Sequence, residues 1–206
     1  LKGDEERALA LLGRARRIRD APPDMLAAVG LLYMRLGRER EAVECLKEAM
    51  ERRPRPRLLT LVGWALFEAG KPEEAERVLR EAYRRYPDDP EVLNSLGYFY
   101  AERGRNLDEA VRLLKRALCK KPHAYHIVDS LGWAYFKMGR LLDAKRELER
   151  AIRLGGKGDA EIRYHLAMVY DALGLREMAL REVREALRLN PYYAPAQLLY
   201  LRLTAK

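Results

Sequence analysis

Residues 93–110 read LNSLGYFYAERGRNLDEA and residues 128–139 read VDSLGWAYFKMG. In each, a glycine (Gly97, Gly132) is followed seven residues later by a second glycine (Gly104, Gly139). Apolar side chains recur at three- and four-residue spacing, as in Leu93, Leu96 and Tyr100 or Val128, Leu131 and Tyr135, which predicts a helix with one buried stripe. Outward from these stretches, a small residue recurs at Gly30, Gly63, Gly97, Gly132 and Ala167, at intervals of 33, 34, 35 and 35 residues. The second glycine recurs with it, at Gly37, Gly70, Gly104, Gly139 and Gly174. Paired alanines seven apart follow, from Ala42 and Ala49 to Ala179 and Ala186. Five residues later stands Pro54, Pro87, Pro122 or Pro191, with Gly156 in place of proline once. Chance does not produce this.

Each mark has a mechanical reason. The first small residue lets two antiparallel helices approach closely. The second supplies a left-handed turn at a helix end. The alanines keep the second helix thin, and the proline stops it. A repeat of this length is one helix pair that cannot bury its apolar face alone, so neighbours stack.

The pattern closely resembles the tetratricopeptide-repeat (TPR) family over nearly the whole chain. The resemblance implies an all-α, right-handed α-solenoid forming a single superhelical domain. It would hold a half-repeat at 1–20, repeats at about 23–55, 56–89, 90–124, 125–159 and 160–193, and a terminal helix at 194–205. Gly3, Ala8 and Ala15 match the second helix of a unit preceding the array. The stretches quoted first look like a version found in bacterial adaptor and envelope-assembly TPR proteins, so the compartment stays open between cytoplasm and periplasm or envelope. Two departures carry expectations. One extra residue between Gly104 and Ala110 predicts a bulge near Asn106, and Gly155-Gly156-Lys157-Gly158 predicts a looser joint before the fifth unit.

In this family the first helix of each pair lines a concave wall, which implies a surface for a protein or peptide partner. The implied inward positions place Trp64, Phe67, Tyr98, Trp133, Phe136 and Tyr164 there as an aromatic stripe. Such rings anchor apolar side chains of a partner; the alternative is that they only pack between neighbouring helices. The inward set carries seven acids (Asp24, Glu68, Glu91, Glu102, Asp129, Glu161, Asp171) against three bases (Arg35, Arg57, Lys137). Some TPR adaptors clamp a chaperone's acidic tail with lysines and asparagines. Here Ala27, Thr60, Asp129 and Tyr164 occupy clamp positions and only Asn94 fits, so the implied ligand has apolar anchors and some Lys or Arg. Asn94 could hold its backbone amides, because an amide side chain both donates and accepts.

The 206 residues carry 40 Lys and Arg against 31 Asp and Glu, a net charge of +9. That balance raises nucleic acid or an anionic membrane as an alternative partner of a basic back face. However, cations such as Arg52, Arg53, Arg84 and Arg85 fall at helix C-termini, where they complement the dipole. Self-assembly through the open repeat ends is a third reading, since Leu198, Leu199, Leu201 and Leu203 form an apolar last segment. No run approaches the roughly 18 apolar residues of a membrane span, and no secretory signal is visible. A start at Leu1 without Met leaves room for an upstream leader or domain. Cys45 and Cys119, two repeats apart, lie beyond the ~7 Å Cα limit for a bridge and read as buried thiols. His123, His126 and Asp129 are spaced by three, but no further ligand accompanies them. No metal, cofactor or catalytic motif is called for; the chain reads as a non-enzyme.

Overall fold

The computed structural model describes residues 10–14, 17–18 and 21–205. The half-repeat marks at Gly3, Ala8 and Ala15 lie outside the described residues. Every regular element from Pro23 onward is helical. The helices are α1 (Pro23–Arg35), α2 (Glu39–Arg52), α3 (Pro56–Glu68), α4 (Pro72–Arg85), α5 (Pro90–Arg103), α6 (Leu107–Lys120), α7 (Tyr125–Lys137), α8 (Leu141–Arg153), α9 (Ala160–Ala172), α10 (Arg176–Leu189) and α11 (Ala194–Thr204). They fall into two compact units, the first ending at Val92 and the second starting at Leu93.

Within the first unit α1 packs on α2 and α3 on α4, and α2 also meets α3. The second glycine of each repeat ends the first helix in the left-handed region, as Gly70 does at φ 72°. The first small residue works by closeness. A Cβ on Gly63 would stand 2.6 Å from both Cγ and Cδ2 of Leu79 on α4, so any larger residue would force Leu79 to shift. Leu59, Ala82 and Val92 form a core at the joint from α4 into α5. Cys45 sits in the core of α1 and α2.

The second unit repeats the scheme with the pairs α7–α8 and α9–α10, and α11 packs against α10. A Cβ on Gly132 would meet Leu148 Cγ at 2.7 Å and its backbone N at 3.2 Å. The extra residue after Gly104 is absorbed at Asn106, which takes a left-handed conformation, φ 51°, and leads into α6. The glycine-rich joint corrects the expected looseness. Gly156–Gly158 forms a 3-10 turn. Gly156 is buried so tightly that a Cβ would lie 2.6 Å from Ile162 Cδ1. Asp159 then caps α9, its Oδ1 accepting the Glu161 N–H at 3.0 Å. Glycine here serves close packing. A second correction concerns Cys119. It lies on the exposed face of α6, so only Cys45 is buried.

Candidate functional site

Four-residue spacing on three first helices builds the site in the second unit. Residues i and i+4 share a helix face, so α5 presents Asn94, Tyr98 and Glu102 together. By the same rule α7 presents Asp129, Trp133 and Lys137, with Phe136 beside them, and α9 presents Glu161 and His165, with Tyr164 adjacent. Their side chains interlock across helices. The Tyr98 hydroxyl donates to Glu161 Oε1 at 2.6 Å. The Trp133 indole N–H donates to Glu102 Oε1 at 2.5 Å. Phe136 stacks on Trp133 with centroids 5.0 Å apart. Tyr164 lies 6.5 Å from the same indole and meets the Tyr193 ring edge-on at 5.5 Å.

Beneath these rings sits a buried histidine–carboxylate contact. His165 is 1% exposed and Asp129 7%. The imidazole Nδ1 lies 2.9 Å from Asp129 Oδ1 and 3.2 Å from Oδ2. Its Nε2 lies 3.9 Å from Glu161 Oε1. The ring stacks on Trp133 at 4.1 Å, with the planes 16° apart. Burial disfavours the imidazolium, but the Asp129 carboxylate, followed by Glu161 and Glu102, more than offsets this, and the His165 pKa is raised. The same carboxylates act on the phenols. Burial first, then the Glu161 and Glu102 charges, push the Tyr98 pKa upward, so this hydroxyl stays a donor. Burial and Glu102 likewise raise Tyr164, and burial with Glu161 raises Tyr193.

The structure thus gathers Tyr98, Asp129, Trp133, Phe136 and Tyr164 at one place, with Asn94 one turn before Tyr98 on α5. Not all of them face solvent. Trp133 is 5% exposed, and Asp129 is committed to His165, so these two are the foundation beneath half-buried Tyr98, Phe136 and Tyr164. Asn94 Oδ1 is a buried acceptor with no hydrogen-bond partner among the described residues. Trp64 and Phe67 form a separate edge-on pair on α3 in the first unit, centroids 5.6 Å apart. That unit also carries a pocket of about 330 Å³ lined by Ala27, Leu31, Leu58, Leu61 and Arg57, with Asp24 bound to Arg55.

The acidity read from the sequence is therefore unevenly available. Asp24 is paired with Arg55 and Asp171 with Arg202, and Asp129 is taken up by its hydrogen bond to His165. Glu102 and Glu161 accept from the neutral indole and phenol donors, and Glu161 also lies 3.9 Å from the His165 ring. Several of the cations assigned to the back face are also paired: Arg52 with Glu48, and Arg84 and Arg85 with Glu81. Among the described residues no His, Cys, Asp and Glu cluster is arranged to hold a metal, and no helix is long and apolar enough to cross a membrane.

Sequence reasoning missed His165 and Tyr193. His165 lies two residues before the small residue of its unit, where the other units carry Ala28, Leu61, Ser95 and Ser130. An imidazole at a position otherwise filled by small or apolar side chains was the available signal. Tyr193 lies in the linker before α11, outside the helical register from which inward positions were counted.

The tetratricopeptide-repeat family profile matches residues 28–90, 60–125 and 130–194. No curated protein matches the sequence significantly. Among solved structures, a thermophilic TPR protein of Thermus thermophilus superposes with a TM-score of 0.77 at 22% identity. That match covers 88% of this chain and 98% of the other. PilW, described as a widely conserved type IV pilus biogenesis factor, gives 0.73 at 19% identity, covering 88% and 84%. PilF of Pseudomonas aeruginosa gives 0.67 at 22%, covering 88% and 82%. At these identities the likeness is one of fold.

Proposed function

Because this chain belongs to the tetratricopeptide-repeat family, we propose that it is a non-enzymatic protein-interaction scaffold that holds a peptide segment of its partner on the α5–α7–α9 surface. The segment brings apolar anchor side chains and some Lys or Arg. One juxtaposition carries the reading: half-buried rings of Tyr98, Phe136 and Tyr164 lie among the carboxylates of Glu102 and Glu161. Aromatic groups bury large area at little entropic cost and act as anchors. The carboxylates add complementarity to a basic side chain, which selects partners more than it tightens them. Asn94, half-buried one turn before Tyr98 on α5, can donate its amide N–H to a backbone carbonyl of the bound segment. Trp64 and Phe67 offer the first unit a second aromatic contact for the same class of segment.

The test uses a fluorescein-labelled peptide alternating leucine and arginine, read by anisotropy. Tyr164→Ala and Phe136→Ala should each weaken it about tenfold, the usual loss for truncating an anchor, with circular dichroism unchanged. Equal affinity for a leucine–glutamate counterpart, or no loss in either variant, would reject the surface. A second reading, self-association, is favoured by Leu198 and Leu201, 69% and 63% exposed on α11. Light scattering that finds a monomer at every concentration excludes it.

A further inference from the structure

The cation position of this surface already holds a cation. Lys137, in the last turn of α7, places its Nζ 4.7 Å from the Trp133 ring centroid. The same ammonium donates to the Glu102 carbonyl oxygen, a long contact of 3.5 Å. Phe136 stacks on the same indole, and Trp133 is left 5% exposed. The Glu102 carboxylate raises the pKa of Tyr98, Tyr164 and Tyr193, so its negative potential reaches all three rings around this point. Aromatic face, backbone carbonyl and carboxylates together are what a cationic side chain seeks.

Lys137 is nevertheless held weakly. Its ammonium makes no ion pair among the described residues, and its one hydrogen bond is at the limit of length. It reaches the ring on a flexible four-carbon stem. An incoming guanidinium would fit better, because it is planar, stacks on an indole and can also bond a carboxylate through two parallel N–H groups. We propose that Lys137 is a built-in ligand of this surface, and that a partner's arginine side chain binds against Trp133 and Glu102 by displacing it. The proposal rests on the reading that the α5–α7–α9 surface receives a peptide, and it names the side chain that surface selects. Of the groups that cover this inward indole, His165 and Phe136 stack on it and stay, and Lys137 is the one that can move.

The experiment compares the whole chain with Lys137→Met, which keeps the stem and removes the charge, and with Lys115→Met, which removes one charge from the exposed face of α6. The probe is the leucine–arginine peptide, measured by calorimetry beside the same peptide with every arginine replaced by citrulline. Lys137→Met should tighten the arginine peptide about three- to tenfold, the scale of one cation–π contact no longer competing. Lys115→Met should leave it nearly unchanged, and neither substitution should affect the citrulline peptide as strongly. In the wild-type chain, the ring-current-shifted Lys137 CεH₂ signals should move towards free-lysine positions as peptide saturates. If peptide binds while those signals stay fixed, or if Lys137→Met binds no tighter than Lys115→Met, displacement is wrong and the surface survives. If the peptide binds neither wild type nor Lys137→Met, the surface itself fails and the displacement with it.

Discussion

Asp129→Asn keeps the shape of a buried side chain and removes its charge, which isolates the electrostatic part of its contact with His165. Both partners are buried, 7% and 1% exposed, and the contact is 2.9 Å. Removing one member of a buried ion pair outright costs about 3–5 kcal/mol. Asparagine retains an oxygen that can accept from a neutral imidazole, so a charged hydrogen bond is exchanged for a neutral one. The cost at pH 6 should then be about 2 kcal/mol. The pH dependence follows from the sign of the shift. The His165 pKa is raised in the folded chain, so the native state holds this proton more tightly than the unfolded state. That contribution is fully present below the unfolded value near 6.5 and is lost as pH rises through the folded pKa. The wild-type advantage over Asp129→Asn should accordingly shrink between pH 6 and pH 9. Urea unfolding of both proteins at each pH measures this, and an NMR titration of the His165 ring checks its cause. A penalty equal at both pH values, or a ring that titrates at or below the ordinary histidine value, would falsify the reasoning.

Four further outcomes follow from packing and exposure. Gly132→Ala should destabilise the second unit by about 1–3 kcal/mol through overpacking, because its Cβ would lie 2.7 Å from Leu148 Cγ; an unchanged melting curve contradicts this. Gly139→Ala meets no atom within 4 Å but must adopt φ 74°, so it should cost about 1–2 kcal/mol through backbone strain alone. The Gly132→Ala penalty should be smaller in a Leu148→Ala background, which lacks that Cγ, whereas the Gly139→Ala penalty should be the same in both backgrounds. Cys119 should react with a thiol reagent in the native chain within the mixing time, whereas Cys45 should react only on unfolding; equal rates contradict the burial assignments.

The scaffold was legible because the repeat records its own geometry. Gly63 and Gly132 mark the closest helix approaches and Gly70 and Gly139 the left-handed turns, each for a steric reason that applies wherever the residue recurs. The site was less so. Counting positions from the small residue found Tyr98, Trp133, Phe136 and Tyr164, which the structure does bring together, but counting cannot say which ring covers which. Trp133 lies under Lys137 and Phe136, and this depends on side-chain directions that periodicity does not encode. Charge counting failed in a related way. It treated Asp24, Asp129 and Asp171 as acidity available to a ligand, whereas Arg55, His165 and Arg202, from other elements, already engage them. The joint at Gly156 misled because a glycine run reads as slack, while burial against Ile162 makes the same residue a requirement of close contact.

The chain holds two tryptophans, Trp64 on α3 and Trp133 on α7, and their indole N–H resonances report the two units separately. Titrating the nitrogen-15-labelled chain with the leucine–arginine peptide should shift the Trp133 indole signal, whose proton is held by Glu102, in step with the Asn94 side-chain amide and to saturation. A titration in which Trp133 and Asn94 stay fixed while the peptide binds elsewhere would remove the α5–α7–α9 surface as the place where this scaffold meets its partner.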